Sequence, residues 1–208
     1  MDRTRFRATQ EGRTNVCLQS QTFGTTWATA AASVTADQTA APDGTMTADL
    51  ITEDGTTAAH GVNQTISVAS NVPYALSVYY KASGRTWLRL FMDDGGGANL
   101  NQCYYNCTGA SGTLGTASNG GTGANAAGII IPLANSWYRC ILTGQPATAS
   151  TGSVRFLIRV TTGDATSSHA GNSSASGYVW GAQLEAGLFA SKYIATTTTS
   201  LYRGTVGR

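Results

Sequence analysis

From position 178 to 185 the chain places Tyr178, Trp180, Ala182 and Leu184 at every second residue, with Val179, Gly181, Gln183 and Glu185 between them. Successive side chains of a strand point to opposite faces. This is therefore a β-strand with one large apolar face, the other carrying an amide and a carboxylate. A lone strand cannot bury a tyrosine and a tryptophan. It needs a second layer to pack against, and the preceding chain offers the strands to build one.

The same period of two recurs along the sequence. Met46, Ala48, Leu50 and Thr52 alternate with Thr47, Asp49, Ile51 and Glu53. Val62, Gln64, Ile66 and Val68 line one face of a further segment, and Tyr74, Leu76, Val78 and Tyr80 alternate with Ala75, Ser77, Tyr79 and Lys81. Leu88, Leu90 and Met92 oppose Trp87, Arg89 and Phe91. Both of those faces are partly apolar, which predicts a strand central to its sheet or lying against a neighbouring subunit. Val154, Phe156, Ile158 and Val160 form a clean apolar face with Arg155 and Arg159 opposite. A first strand is expected over 15–19, short strands near 101–107 and 112–117, and a hairpin turning over Pro132, Leu133, Ala134 and Asn135. Residues 163–177 read as a long surface loop. Pro42-Asp43-Gly44 and Asp54-Gly55 are turn signals. With about ten to twelve strands, no helical period over ten residues and no fixed repeat, the chain is predicted to be all-β, a two-sheet antiparallel jelly-roll sandwich.

Composition agrees with many tight connections, since 25 of the 208 residues are glycine and only 12% are charged. The net charge of +2 comes from basic residues gathered toward the ends, Arg3, Arg5, Arg7 and Arg13 at one and Arg203 and Arg208 at the other. That distribution argues against a nucleic-acid surface. No run of about eighteen apolar residues offers a spanning helix, so no membrane partner is expected. The N-terminus lacks the apolar segment of a secretory signal, which implies synthesis in the cytoplasm. The chain divides into a basic arm (1–14), the sandwich (15–195) and a threonine-rich tail leaving it (196–208). Arg3, Arg5, Phe6 and Arg7 are the candidate anchoring residues of the arm, a basic segment with one aromatic.

Catalysis finds no footing in these residues. No serine is flanked as Gly-x-Ser-x-Gly, and the glycine-rich stretches lie between strands rather than before a helix. Asp93 with Asp94, and Glu53 with Asp54, are adjacent pairs whose members point to opposite faces, so neither pair can flank one sugar bond. A long-range pair such as Asp49 with Glu185 stays open. Neither an enzyme nor a cofactor is expected. Sugar binding is better supplied, because pyranose rings stack on aromatic faces and accept planar polar side chains. The candidates are Tyr79, Trp87, Arg89, Tyr104, Tyr105 and Asn106. Of Tyr104 and Tyr105, which face opposite ways, one is expected to point outward, whereas Trp137 and Trp180 are expected in the core.

Cys103 and Cys107 either pair across a local bulge or stay free. Four residues along a flat strand separate them too far for a disulfide, so free buried thiols are the favoured reading for all four cysteines. No metal is expected: the spacing lacks a second Cys/His pair, and His60 and His169 have no metal-like partners in sequence.

The ending Tyr-Val-Trp-Gly-Ala-Gln-Leu-Glu-Ala-Gly (178–187), followed by Ser191-Lys192-Tyr193-Ile194, resembles the closing signature of jelly-roll, carbohydrate-binding-module-like domains of bacteriophage virion proteins. Three further segments resemble the same family in the same order. They are Asn15-Val16-Cys17-Leu18-Gln19-Ser20-Gln21 followed by Trp27, Ala41-Pro42-Asp43-Gly44-Thr45-Met46-Thr47-Ala48-Asp49, and Asn135-Ser136-Trp137-Tyr138-Arg139-Cys140. The resemblance implies a non-enzymatic virion structural protein, made in the host cytoplasm and carried on the particle as capsid decoration, cement or an attached head protein. The alternative it implies is a tail-fibre or spike protein that recognises host surface polysaccharide. The implied partners are other virion proteins of the capsid or tail, further copies of the chain in a homotrimer, and a host surface glycan. Structural calcium often accompanies such modules. Asp49 and Glu185 are conceivable ligands, but Glu185 could equally cap the sheet or meet Arg139, and no ion is assigned. No coiled-coil stalk precedes the domain, which favours decoration or a compact head protein.

Overall fold

The alternation resolves into sixteen strands in the computed structural model, which describes residues 12–69, 72–95, 97–146, 152–174 and 176–204. In chain order they are β1 (Arg13–Asn15), β2 (Ala28–Ala30), β3 (Ala32–Thr39), β4 (Ala48–Glu53), β5 (Thr57–Ala58), β6 (His60–Ser67), β7 (Tyr74–Ala82) and β8 (Trp87–Asp93). There follow β9 (Leu100–Asn106), β10 (Thr113–Gly120), β11 (Ala124–Pro132), β12 (Tyr138–Gln145), β13 (Ser153–Thr161), β14 (His169–Ala170), β15 (Ser176–Ala186) and β16 (Leu201–Arg203). Sheet I has the order β10-β9-β8-β13-β6-β2 and sheet II the order β11-β12-β7-β15-β4-β3, and every pairing is antiparallel. The pairs β5–β14 and β1–β16 form two small ribbons. The fold is the expected two-sheet sandwich. A single 3-10 turn at Ala134–Ser136 is the sole helical element among the described residues, and it closes the expected β11–β12 hairpin with Asn135 in the left-handed region (φ 59°). The arm residues Arg3, Arg5, Phe6 and Arg7 lie outside the described residues.

The core fills the space between the sheets. Sheet I contributes Val62, Leu88, Leu90, Met92, Tyr105, Phe156 and Ile158, and sheet II contributes Ile51, Leu76, Val78, Tyr80, Leu142, Val179 and Leu184. A second cluster of Ala41, Ala48, Tyr79, Trp137 and Trp180 covers the outer face of sheet II, with Tyr178 and Tyr193 against it. The expected single apolar face of β15 is therefore split between the two clusters. Its pairing with β7 slips between Trp180 and Gln183, where Gly181 takes φ 64°. One extra residue at a bulge turns every later side chain to the other face. Tyr178 and Trp180 consequently point outward, while Val179, Ala182 and Leu184 enter the core. Trp137 and Trp180 are buried as expected, but in the outer cluster.

The bulge is held by Asn15. Its amide donates to the carbonyls of Ala182 (3.1 Å) and Ile194 (2.8 Å), and its oxygen accepts from the backbone N–H of Leu184 (3.1 Å) and Cys17 (3.1 Å). The Ala182 carbonyl and the Leu184 N–H, past the last β15–β4 pair at Val179, thus find a partner, as buried polar groups must. Residues expected as an exit tail also stay with the domain. Ser20 N–H donates to the Thr196 carbonyl at 3.2 Å, and β16 pairs back onto β1.

Candidate functional site

Strand β8 lies inside sheet I, between β9 and β13, as its two partly apolar faces predict. With Leu88, Leu90 and Met92 turned into the core, Trp87, Arg89, Phe91 and Asp93 face outward. Register then sets their neighbours. On β9, Asn106 stands opposite Trp87, Tyr104 opposite Arg89 and Gln102 opposite Phe91. On β13, Arg159 stands opposite Arg89, Leu157 opposite Phe91 and Arg155 opposite Asp93. Three arginines, three aromatic rings and two planar amides therefore share one sheet face.

Their contacts define the chemistry. The Arg89 guanidinium lies 4.0 Å above the Phe91 ring and 5.6 Å from that of Tyr104, and its Nε donates to Gln102 Oε1 at 2.8 Å. Gln102 in turn donates to Ser118 Oγ at 2.9 Å. Arg155 grips Asp93 through two hydrogen bonds, at 2.8 and 2.7 Å. Arg159 reaches across β6, where its cross-strand neighbour Gly61 offers no side chain to stop it. There it donates to the Val62 carbonyl (2.6 Å) and Asn63 Oδ1 (3.0 Å). Burial lowers the basicity of Arg89, and burial with the charges of Arg155 and Arg89 brings Arg159 down to about 10. Trp87 overhangs β10, where a Cβ on Gly115 would come within 2.8 Å of its ring. Arg89, Arg159, Phe91 and Tyr104 are buried, so stacking on a sugar ring falls to the half-buried Trp87 and hydrogen bonding to the amides of Gln102 and Asn106.

Of the six residues singled out from sequence, Trp87, Arg89, Tyr104 and Asn106 come together on this face. Tyr104 is more deeply set than expected, 2% exposed beside Arg89 and β10. Two expectations are corrected. Tyr105 is fully buried between the sheets, its hydroxyl donating to the Ile141 carbonyl at 2.6 Å, so it presents no face to a ligand. Of the Tyr104–Tyr105 pair it is the inward member, since its phenol finds an acceptor on the opposite sheet. Tyr79 lies on the outer face of sheet II, edge-on to Trp180 at 5.2 Å and to Tyr193 at 6.1 Å. Phe91, Gln102 and Arg159 belong to the face without being among the six. Their signal is the strand period itself, which puts them opposite the apolar stripe.

His60 and His169, which have no metal-like partners in sequence, acquire a neighbour in space. Glu53, His60 and His169 place ligand atoms within 4.8 Å of one another. Loops at one end of the sandwich bring them together, because β5–β14 pairing carries His169 onto the end of β4. Both Glu53 oxygens are already occupied. Arg85 Nε lies 3.1 Å from each, His169 Nε2 is 2.9 Å from Oε2, and the Asn172 N–H donates to Oε1 at 3.0 Å. Burial alone would raise the Glu53 carboxyl, but these hydrogen bonds and the Arg85 charge outweigh it and hold it below its ordinary value. His60, fully buried, meets the Ala31 carbonyl at 2.7 Å. The group has the donor types of a zinc ligand set, but Arg85 already neutralises its one carboxylate. Its evident work is to tie β4, β6 and the 163–174 segment at one end of the core.

The remaining chemistry-bearing residues have structural partners. All four cysteines are free and buried, and Cys107 approaches Cys140 (Sγ–Sγ 3.6 Å) rather than Cys103. Asp49 accepts from the N–H groups of Phe23 (2.8 Å) and Asp37 (3.1 Å). Glu185 accepts from Gln183 Nε2 (2.6 Å) and Ser191 N–H (2.8 Å), and Arg139 donates instead to Ser77 Oγ at 2.9 Å. Asp49 stands opposite Val179, six residues from Glu185, roughly 20 Å along a strand. Carboxylates so placed cannot flank one glycosidic bond, which needs a separation of about 5–10 Å.

No family model and no curated protein matches this chain. Among solved structures, a "putative sugar binding protein" from Bacteroides thetaiotaomicron VPI-5482 is similar at 12% identity, with a TM-score of 0.44, over 83% of this chain and 95% of that one. A likeness of that degree does not transfer a ligand.

Proposed function

We propose that this chain is a non-enzymatic structural protein of a bacteriophage particle, a jelly-roll module whose sheet I face binds polysaccharide of the host surface. The observation that carries the glycan part is the outer face of sheet I, where the half-buried Trp87, Asn106 and Gln102 offer one indole ring and two planar amides around the buried Arg89, Phe91 and Tyr104. The virion part rests on the four sequence segments that resemble phage appendage domains. The decoration reading has its own support. Edge strand β11 and the turn after it expose Ile129, Ile131 and Leu133, an apolar strip suited to a neighbouring subunit of a trimer or shell.

Gold-labelled antibody on purified particles of the source virus separates the two readings. Labelling confined to the tail is expected for glycan recognition, and Trp87→Ala then weakens adsorption to host cells. Label spread over the whole head assigns the protein to decoration. Particles that carry no label, intact or opened, refute the virion assignment.

A further inference from the structure

We infer that Cys107 and Cys140 are a latent inter-sheet disulfide, two thiols that the fold holds in contact and that join when the chain meets an oxidising medium. The inference rests on neither the sugar nor the particle reading above.

Cys107 follows β9 of sheet I, and Cys140 lies in β12 of sheet II. Both are buried, and their Sγ atoms are 3.6 Å apart. A disulfide needs about 2.05 Å between its sulfurs and about 4.4–6.8 Å between its Cα atoms, whereas stacked sheets usually stand ~10 Å apart. Here the sheets close on one another, since Cα atoms of β9 and β12 come within 8 Å. Two hydrogen bonds bracket the contact. The Tyr105 hydroxyl donates to the Ile141 carbonyl at 2.6 Å, and the Tyr138 hydroxyl donates to the Gly109 carbonyl. Residues 105–109 are thereby pinned across residues 138–141, with the two sulfurs between the pins. The Cys103 thiol, nearer to Cys107 in sequence, turns instead to the Tyr104 carbonyl at 3.5 Å.

The step is thiol–disulfide exchange with a small disulfide such as oxidised glutathione. The Cys107 thiolate attacks the reagent, a mixed disulfide forms and one glutathione thiol leaves. The Cys140 thiolate then attacks the Cys107 sulfur, the Sγ–Sγ bond forms and the second glutathione leaves. Two protein thiols lose two protons and two electrons, and the S–S bond of the reagent is reduced to two thiols. In the closed fold this exchange is slow, because burial pushes the Cys140 thiol well above its ordinary value and the thiolate is the attacking form. The way in is short, however. Cys107 directly precedes the exposed residues Thr108–Ser111, and its N–H donates to the Thr86 carbonyl at 2.8 Å. Opening this turn breaks the Tyr138–Gly109 pin and bares the Cys107 sulfur, and reclosure returns it to Cys140.

The test equilibrates the reduced full-length protein with an oxidising glutathione buffer at pH 8 in sub-denaturing urea, where the turn opens while tryptophan fluorescence stays native. The sample is then alkylated in denaturant and its cysteines are mapped by mass spectrometry. Chymotrypsin cuts after Tyr104 and Tyr105 and so separates Cys103 from Cys107, which trypsin leaves on one peptide. One cross-link is expected, Cys107 to Cys140, with Cys17 and Cys103 alkylated. The two cysteines are 33 positions apart, and closing that loop should raise the melting temperature by about 5–15 °C, a gain that dithiothreitol removes. Cys103→Ser should keep the cross-link and Cys107→Ser should abolish it. The wild-type map needs no variant, so misfolding of either cannot rescue the inference. Four alkylated cysteines, or a Cys103–Cys107 pair, overturn it. So does a Cys107–Cys140 bond that lowers the melting temperature, since the native contact would then not accommodate the bond.

Discussion

Replacing Asn15 by alanine should be among the most damaging single changes in this protein, although the residue touches no ligand face. Its side chain makes four hydrogen bonds in a site with no solvent access, two given to Ala182 and Ile194 and two taken from Cys17 and Leu184. Each such bond contributes about 1 kcal/mol net, and a buried backbone group left unpaired costs about 1–3 kcal/mol. The freed volume admits at most a water to repair part of the loss. A destabilisation of about 4 kcal/mol follows, which for a domain of this size lowers the melting temperature by about 8–16 °C. Urea denaturation of wild type and Asn15→Ala, read by tryptophan fluorescence, measures it. Asn15→Asp should be at least as harmful, since a carboxylate there faces two carbonyls with no proton to give. A loss below about 1 kcal/mol for either variant would refute the claim that Asn15 holds the Gly181 bulge.

Three further outcomes are expected. Tyr105→Ala should cost about 3–5 kcal/mol in urea denaturation and Tyr105→Phe about 1 kcal/mol; a near-neutral Tyr105→Ala would return that residue to the surface. Arg85→Met leaves Glu53 buried without its cation and should cost about 3 kcal/mol at neutral pH. The Glu53 carboxyl is held below its ordinary value near 4.5, so its contribution is complete above that pH and is lost as pH falls through the lowered value. Glu53→Gln should flatten that acid limb, and an unchanged stability–pH profile would contradict the assignment. Burial raises the thiols of Cys17 and Cys140 and brings Cys103 up to about 11. All three should therefore resist iodoacetamide at pH 8 until the protein is unfolded; rapid labelling of the native protein, read by mass spectrometry, would show that the packing is wrong.

The fold class is legible in the sequence because strand period and burial are local consequences of one another. Leu88, Leu90 and Met92 face inward for the same reason that they alternate. That period also places Trp87 and Arg89 on a common face, so part of the candidate site can be read from residue order alone. It fails at β15. The alternation of Tyr178, Trp180, Ala182 and Leu184 reads as one face, and a single left-handed glycine at position 181 divides it. Nothing within ten residues announces the slip, because its compensation comes from Asn15, 169 residues away from Leu184.

By itself, then, the sequence determined the fold class and, in strands without a bulge such as β7, β8 and β13, which side chains share a face. Tertiary structure decided which strands became neighbours, and through them everything that depends on pairing. It set Arg159 beside Arg89, put Tyr105 rather than Tyr104 between the sheets, and gathered Glu53, His60 and His169 at one end. The physical reason is range. Side-chain direction follows from backbone geometry over two residues, whereas register between distant strands is chosen by the burial and hydrogen bonding of the whole sandwich.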